Sequence, residues 1–462
     1  MRKWLFHSFK SVLQRLVFTF EQFSRLELAN HAAAGAYAFL LSAMPALLII
    51  LYISSRLFVA LDLDLATANQ FLEPYLGAMG AAEVSQAFLA KPVAGIAGIL
   101  GLLNLLWASR LFVVSIQRGL RVIYLDAARP TKLRENILTF VVELTLLFSV
   151  ILIIAGSQLV QALVALLEWQ AARLLLGRLV VAGITYLPLL IVWLFIFLTY
   201  LSMPKHKMRK RTAFLAATLC VIFYWLLSGL LSHFLSTVRY GVLYGILGNL
   251  VSSLLKVFAF FWLYFFFAQF TYTLEFFDTL LFSRFRKLAG SERRRSKLEK
   301  SLFANPSRLF RRYALTFKRG ELIFARDDRD TRALYLHSGT VGIYLDDPIE
   351  RSVSPTGNSD TGVQQLAAVV LDAVSGGSMR KVRGKPVGLI HPGEFFGEMA
   401  ALLSEERTAW AVAHSDVTVF ALPANLFERY LDQSPGESRK IIRQLAERLK
   451  VNNEQLRKRE PQ

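Results

Sequence analysis

The sequence predicts a chain in two parts: an α-helical polytopic membrane bundle of six transmembrane helices, followed by a cytoplasmic β domain with flanking helices. Two observations predict it. Of 462 residues, 54% are hydrophobic and only 19% charged, where soluble proteins stand nearer half and a quarter. The charge is also uneven, because residues 284–462 hold 31 of the 53 Lys and Arg and 22 of the 34 Asp and Glu. The longer first part is too apolar to be soluble. The single cysteine, Cys220, excludes an internal disulfide framework, and no Cys/His pair stands at metal-ligand spacing, which excludes a zinc ribbon.

The first 30 residues place Leu5, Phe9, Val12, Leu16, Phe20 and Phe23 at helical spacing, with Lys3, Lys10 and Arg15 between them. That pattern predicts an amphipathic helix lying at the membrane interface. Without a continuous apolar core and a small-residue cleavage site, it is not a removable signal peptide. Six apolar runs follow in a membrane domain at 31–283, at 34–57, 93–116, 136–163, 179–203, 212–236 and 246–274. Each is long enough for the roughly 20 residues that cross a hydrocarbon core.

Basic residues set the orientation. Residues 1–30, 117–135, 204–211 and 284–300 hold 23 Lys and Arg, whereas the alternate loops 58–92, 164–178 and 237–245 hold 4. That bias places both termini in the cytoplasm. The run 284–304, with Arg284, Arg286, Lys287, Arg293, Arg294, Arg295, Lys297 and Lys300, reads equally as a solvated anchor or as a site for anionic lipid headgroups.

From 305 to 458 the composition becomes that of a soluble domain. Strand-like runs stand at Glu321–Ala325, Ala333–His337, Val341–Leu345, Val387–Ile390, Trp410–Ala413 and Val417–Ala421, punctuated by Gly320, Gly339 and Gly393. A Ser/Gly-rich loop insertion occupies 347–385. The segment 436–456 carries Ile441, Ile442, Leu445 and Leu449 on one helical face, which suits a lid or a homodimer contact with a second copy.

The most informative stretch is HPGEFFGEMAALLSEERTAWAVA, residues 391–413. A Gly-Glu pair opens a short helical segment between two strand runs, and an arginine follows nine residues after the glutamate. A phosphodiester calls for backbone donors and one fixed cation, which Gly397, Glu398, Met399, Ala400 and Arg407 are placed to supply. The pattern F-G-E-x-A-x-L-x4-R-T-A, preceded by R-G-E-x-I-F and Y-x-x-x-G-x-V, resembles the cyclic-nucleotide-binding domain of kinase regulatory subunits and catabolite-activator-type regulators. The resemblance implies a β-barrel of jelly-roll type with cyclic AMP or cyclic GMP as ligand and no other cofactor. It gives Gly397 and Glu398 to the ribose, Arg407 to the cyclic phosphate and Thr408 to a supporting phosphate contact.

Polar residues inside membrane spans are expensive and need a reason. Arg110 and Glu143 each lie about six residues, or about 9 Å, from the same interface on the second and third spans, and so are placed to pair. Asn104 falls at mid-depth of the second span, and Asn249 and Lys256 lie in the sixth. The pattern A-G-A-Y-x-x-L-L-S-x-x-P at 34–45, the basic loop at 203–211, and Y-G-I-L-G followed by an aromatic span at 244–272 resemble the YihY/BrkB family of bacterial inner-membrane proteins. That resemblance implies six helices with cytoplasmic ends, and a role in transport or lipid handling.

Three function classes are weighed on the residues. Members of that family have been labelled ribonucleases, but hydrolysis needs clustered metal ligands or an acid/base pair. His7, His31, His206, His233, His337, His391 and His414 are scattered, so an enzyme is not expected. A nucleotide-gated channel fails because 237–245 is too short for a pore loop and the span 179–203 has no Arg or Lys. What remains is a transporter or lipid-handling protein under cyclic-nucleotide control, with a membrane-anchored nucleotide sensor as the alternative. The expected partners are the bilayer with its anionic headgroups and the cyclic nucleotide, without nucleic acid.

Overall fold

The computed structural model describes residues 2–41, 96–124, 189–202, 204, 208–237, 245–289, 302–303, 306–348, 384–434, 436, 438–444 and 446–447. They belong to two units, Met1–Glu275 and Phe276–Gln462.

In the first unit the helices are α1 (Arg2–Arg25), a helical stretch over 28–41, α2 (Ile96–Tyr124), α3 (Leu189–Ser202), α4 (Lys210–Thr237) and α5 (Gly245–Glu275). α5 is the hub, because its aromatic residues point to every neighbour. Phe20 and Phe23 of α1 meet Phe266 at 4.9 and 5.9 Å, and Phe23 meets Trp262 at 4.9 Å. α2 comes close because position 119 is glycine: a Cβ there would lie 2.3 Å from the Phe265 ring. Five residues on, the Tyr124 hydroxyl reaches Thr271 Oγ1 at 2.6 Å. From α3, Tyr200 donates to the Tyr264 carbonyl at 2.6 Å, and Tyr264 donates back to Thr199 Oγ1 at 2.9 Å. The backbone N–H groups of each helix are taken up internally, so the donors at these contacts are side-chain hydroxyls, which find hydroxyl or backbone carbonyl acceptors across the interface.

The N-terminal helix is therefore more than an interfacial amphipath. Its Phe18, Thr19 and Phe23 are buried, while Val12 and Phe20 are exposed. It breaks where Glu27 takes a left-handed conformation, φ 51°. Of the six spans expected, α4 and α5 stand among the described residues as helices long and apolar enough to cross a membrane. α4 leaves Phe214, Leu215, Ile222, Phe223, Trp225, Leu226, Leu230 and Phe234 exposed. The span 136–163, most of 34–57 and the first half of 179–203 lie outside the described residues, so the count of six is not established.

The second unit opens with α6 (Phe277–Ala289), so the boundary expected at residue 284 falls inside a helix. α7 (Ser307–Tyr313) leads into β1 (Ala314–Phe317), β2 (Leu322–Phe324), β3 (Ala333–Ser338), β4 (Val341–Tyr344), β5 (Gly388–Ile390), β6 (Phe395–Phe396), α8 (Glu398–Leu403), β7 (Trp410–Ala413), β8 (Val417–Leu422) and α9 (Ala424–Gln433). Residues 438–444 are helical again. The strands form two four-stranded antiparallel sheets, β1-β8-β3-β6 and β2-β7-β4-β5.

Period-two alternation explains the layers. Leu334 and Leu336 of β3, with Val417, Val419 and Ala421 of β8, point into the core between the sheets, beside Phe324, Val341, Ile390, Phe396, Ala411 and Ala413. Tyr335 and Phe420 point the other way and are buried too, because α6 and α7 cover that face. Phe282 of α6 meets Tyr335 at 5.4 Å, and Phe310 of α7 meets Phe420 at 4.9 Å. Gly339 makes the β3–β4 turn at φ 89°, where a Cβ would lie 2.4 Å from the Asp416 carbonyl. The insertion expected at 347–385 falls between β4 and β5, and its residues 349–383 lie outside the described residues.

Candidate functional site

Gly397 follows β6 directly, and its φ of 65° lies in the left-handed region. A Cβ there would also sit 2.2 Å from Arg407 Nη1, so glycine is required on two counts. Glu398 then opens α8 and is buried, as are Ala400 and Ala401, with Met399 partly exposed. α8 is six residues long and stops at Ser404, itself left-handed at φ 56°. At that length the helix macrodipole adds little, so any charge on a ligand falls to the fixed cation.

Arg407 is the buried cation beside this turn, and the chain folds back to hold it. Its side chain is 1% exposed. Nη1 donates to the Gly397 carbonyl at 2.5 Å and Nη2 to the Arg332 carbonyl at 2.7 Å. The guanidinium lies over Phe324, 4.4 Å from the ring centroid, and Nη2 is 3.9 Å from Asp330 Oδ2. Burial lowers the Arg407 pKa and the Asp330 carboxylate opposes that, with Glu398 adding a further negative field. A guanidinium so held remains charged at neutral pH. Burial alone raises the Asp330 pKa, but hydrogen bonds from the Arg332 side chain and backbone, with the charges of Arg332 and Arg407, outweigh it and hold the carboxyl below its ordinary value.

On the outer side, Arg326, Asp327, Ser404, Glu405, Glu406, Arg407 and Thr408 line an open cleft of about 500 Å³. Asp327 and Ser404 both have positive φ, 66° and 56°, a strained conformation for residues with a Cβ. Two backbone bonds pin the cleft: Asp327 N–H to the Arg407 carbonyl at 2.8 Å, and Arg407 N–H to the Asp328 carbonyl at 2.9 Å. Glu406 is paired with Arg329 at 3.1 Å, on the surface and away from the buried guanidinium. Thr408 is exposed at the cleft.

The structure thus brings Gly397, Glu398, Met399, Ala400, Arg407 and Thr408 into one neighbourhood, with Arg407 engaged by protein carbonyls. Asp330, Arg332 and Phe324, which hold it, were missed from sequence; their signal was the charged run 326–332 between two strands. Among the described residues no group of three His, Cys, Asp or Glu could hold a metal ion. In the first unit, Lys256 is partly buried in α5 and Arg110 is exposed on α2. Asn104 and Asn249 lie in helices, but their side chains, and all of Glu143, lie outside the described residues, so the expected Arg110–Glu143 pair has no geometry here.

The Virulence factor BrkB family model matches residues 19–279, and the Cyclic nucleotide-binding domain model matches residues 376–434. No curated protein matches the chain. Among solved structures, the catabolite activator protein of Thermus thermophilus is 22% identical, over 31% of this chain and 52% of that one, with a TM-score of 0.21. The c-di-GMP responsive global regulator CLP of Xanthomonas campestris is 17% identical, over 31% and 56%, with a TM-score of 0.22. A PKAR CBD2 structure bound to Sp-2Cl-cAMPS is 18% identical, over 30% and 69%, with a TM-score of 0.20. The chain spans about half the length of the two regulators.

Proposed function

The chain belongs to the virulence factor BrkB family, a membrane family, and from that premise we propose a membrane transporter or lipid-handling protein regulated by a cyclic mononucleotide bound to its C-terminal domain. The observation that carries the reading is the buried fork of Arg407 closing on the carbonyl of Gly397 inside the cyclic-nucleotide-binding match. A cyclic phosphate is a stronger acceptor than either carbonyl, since it adds a full negative charge to the attraction of the guanidinium where a carbonyl offers only a dipole. In this reading a bound cyclic phosphate competes with the carbonyls of Gly397 and Arg332 for the Arg407 fork. Glu398, buried beside it, accepts from a sugar hydroxyl, and Thr408 supports the phosphate from the cleft. No catalytic step is assigned to the chain.

In this reading six spans cross the bacterial inner membrane with both termini in the cytoplasm, an orientation supported by the bias of 23 basic residues against 4. The partly buried Lys256 supports transport over a passive anchor, because an anchor needs no intramembrane charge. The test compares lipid and ion composition of membranes from cells with the protein, without it, and with Arg407→Lys. A composition that depends on the protein and shifts with Arg407→Lys supports the reading. Identical composition in all three sinks it.

A further inference from the structure

On α5, Trp262, Phe266 and Thr273 all meet α1, through Phe23, Phe20 and Thr19. Gln269 lies three residues after Phe266 and four before Thr273, so it belongs to the same helical stripe and to the same contact. Its side chain is 0% exposed, and among the described residues neither Nε2 nor Oε1 has a hydrogen-bond partner. The neighbouring hydroxyls are engaged elsewhere. Thr273 donates to the backbone carbonyl of Gln269 at 3.0 Å, Thr271 to that of Ala268 at 2.7 Å, and Thr19 to that of Arg15 at 2.8 Å. A second buried amide oxygen without a partner among the described residues, Gln117 Oε1, sits on α2 two turns before Tyr124, the residue that bonds Thr271 of α5.

A buried amide with both ends bare bears its full desolvation cost with nothing to offset it. The group that answers an amide is one that donates to its oxygen and accepts from its nitrogen at once, without a charge. That is a hydroxyl. We propose that Gln269 is a binding site, at the contact of α1 with α5, for an uncharged hydroxyl group, supplied either by water or by the free hydroxyl of a diacylglycerol-type lipid.

The test is the thermal midpoint of the full-length protein in detergent for wild type, Gln269→Met and Gln269→Asn. Methionine keeps the volume and removes the amide, so an occupied site predicts a fall of several degrees with Met and a smaller fall with Asn, which retains the amide. A midpoint for Met equal to or above wild type overturns the proposal, because deleting an amide with no partner costs nothing. So does a fall with Asn as large as with Met. Stripping lipid from the samples separates the sources. A wild-type advantage over Met that persists assigns the hydroxyl to water, and one that vanishes and returns with added dioleoylglycerol assigns it to lipid. An advantage that vanishes and does not return also overturns the proposal.

Discussion

A methyl group at position 397 would meet the Arg407 guanidinium at 2.2 Å, on a backbone already at φ 65°. Gly397→Ala should therefore destabilise the domain by about 1–3 kcal/mol, read as a lower denaturant midpoint of the full chain, and should weaken cyclic-nucleotide binding as Arg407 is displaced. Unchanged stability would mean that the turn relaxes freely. Histidines provide a second test at this scale. Burial lowers the pKa of His337, and burial with the charge of Arg319 lowers that of His414, whose Nε2 pairs with the Tyr344 hydroxyl at 2.7 Å. A depressed histidine favours the neutral folded form, so its contribution is complete above the unfolded value near 6.5 and is lost as pH falls through the lower folded value. Domain stability should drop between pH 7 and pH 5, and His414→Gln should flatten the slope. A slope unchanged in that variant would rule His414 out. The cassette residues were legible because Gly-Glu and Arg stand nine apart in the chain. The inward turn of Arg407 was not, because it depends on the carbonyl of Arg332, 75 residues away in sequence.

At the scale of elements, α6 decides how the second unit begins. Asp278 in its first turn accepts from Arg308, from Arg312 at 2.8 Å and from the Tyr313 hydroxyl at 3.0 Å, tying α6 to α7. Burial, with Asp278 beside it, pushes the Tyr313 phenol up to about 12. Farther along, Arg286 donates to the Tyr430 hydroxyl at 2.9 Å and lies 4.7 Å from the Phe395 ring centroid, next to the strand that ends at Gly397. Asp278→Ala should cost about 1–2 kcal/mol, held down by the exposure of both arginines. Charge reversal at Arg308 alone should cost no less. Calorimetric unfolding of the full chain checks this, and a midpoint at wild-type level in Asp278→Ala would remove the tie. Sequence read this region as a basic linker because Arg284, Arg286 and Lys287 crowd it. Phe277, Leu281 and Phe285 recur at helical spacing, but they follow directly on the apolar run 246–274 and read as its continuation. β6 was missed because two residues are too short for alternation to register, and β1 because it follows α7 with no turn residue between them. The central strands β7 and β8 were legible because Val412, Val417 and Val419 are β-branched and flanked by turns.

For the whole molecule, the apolar first part and the mixed second part were visible in composition alone, since charge concentrates after residue 284. The packing of α1 on α5 was not, because an amphipathic helix reads the same whether its apolar stripe meets lipid or another helix. Reporter fusions after residues 75, 170 and 240 should give an external signal, and fusions after 125, 207 and 300 a cytoplasmic one. An external signal at 300 would remove the nucleotide domain from the compartment in which such a ligand acts. The most direct test of ligand control is calorimetric titration of the full-length protein in detergent with cyclic AMP and cyclic GMP, beside Arg407→Lys. Saturable heat with one or both nucleotides is predicted, weakened at least tenfold in Arg407→Lys because an ammonium cannot supply two parallel donors. No heat and no thermal shift at millimolar ligand would contradict the account and leave the domain a fold without its ligand.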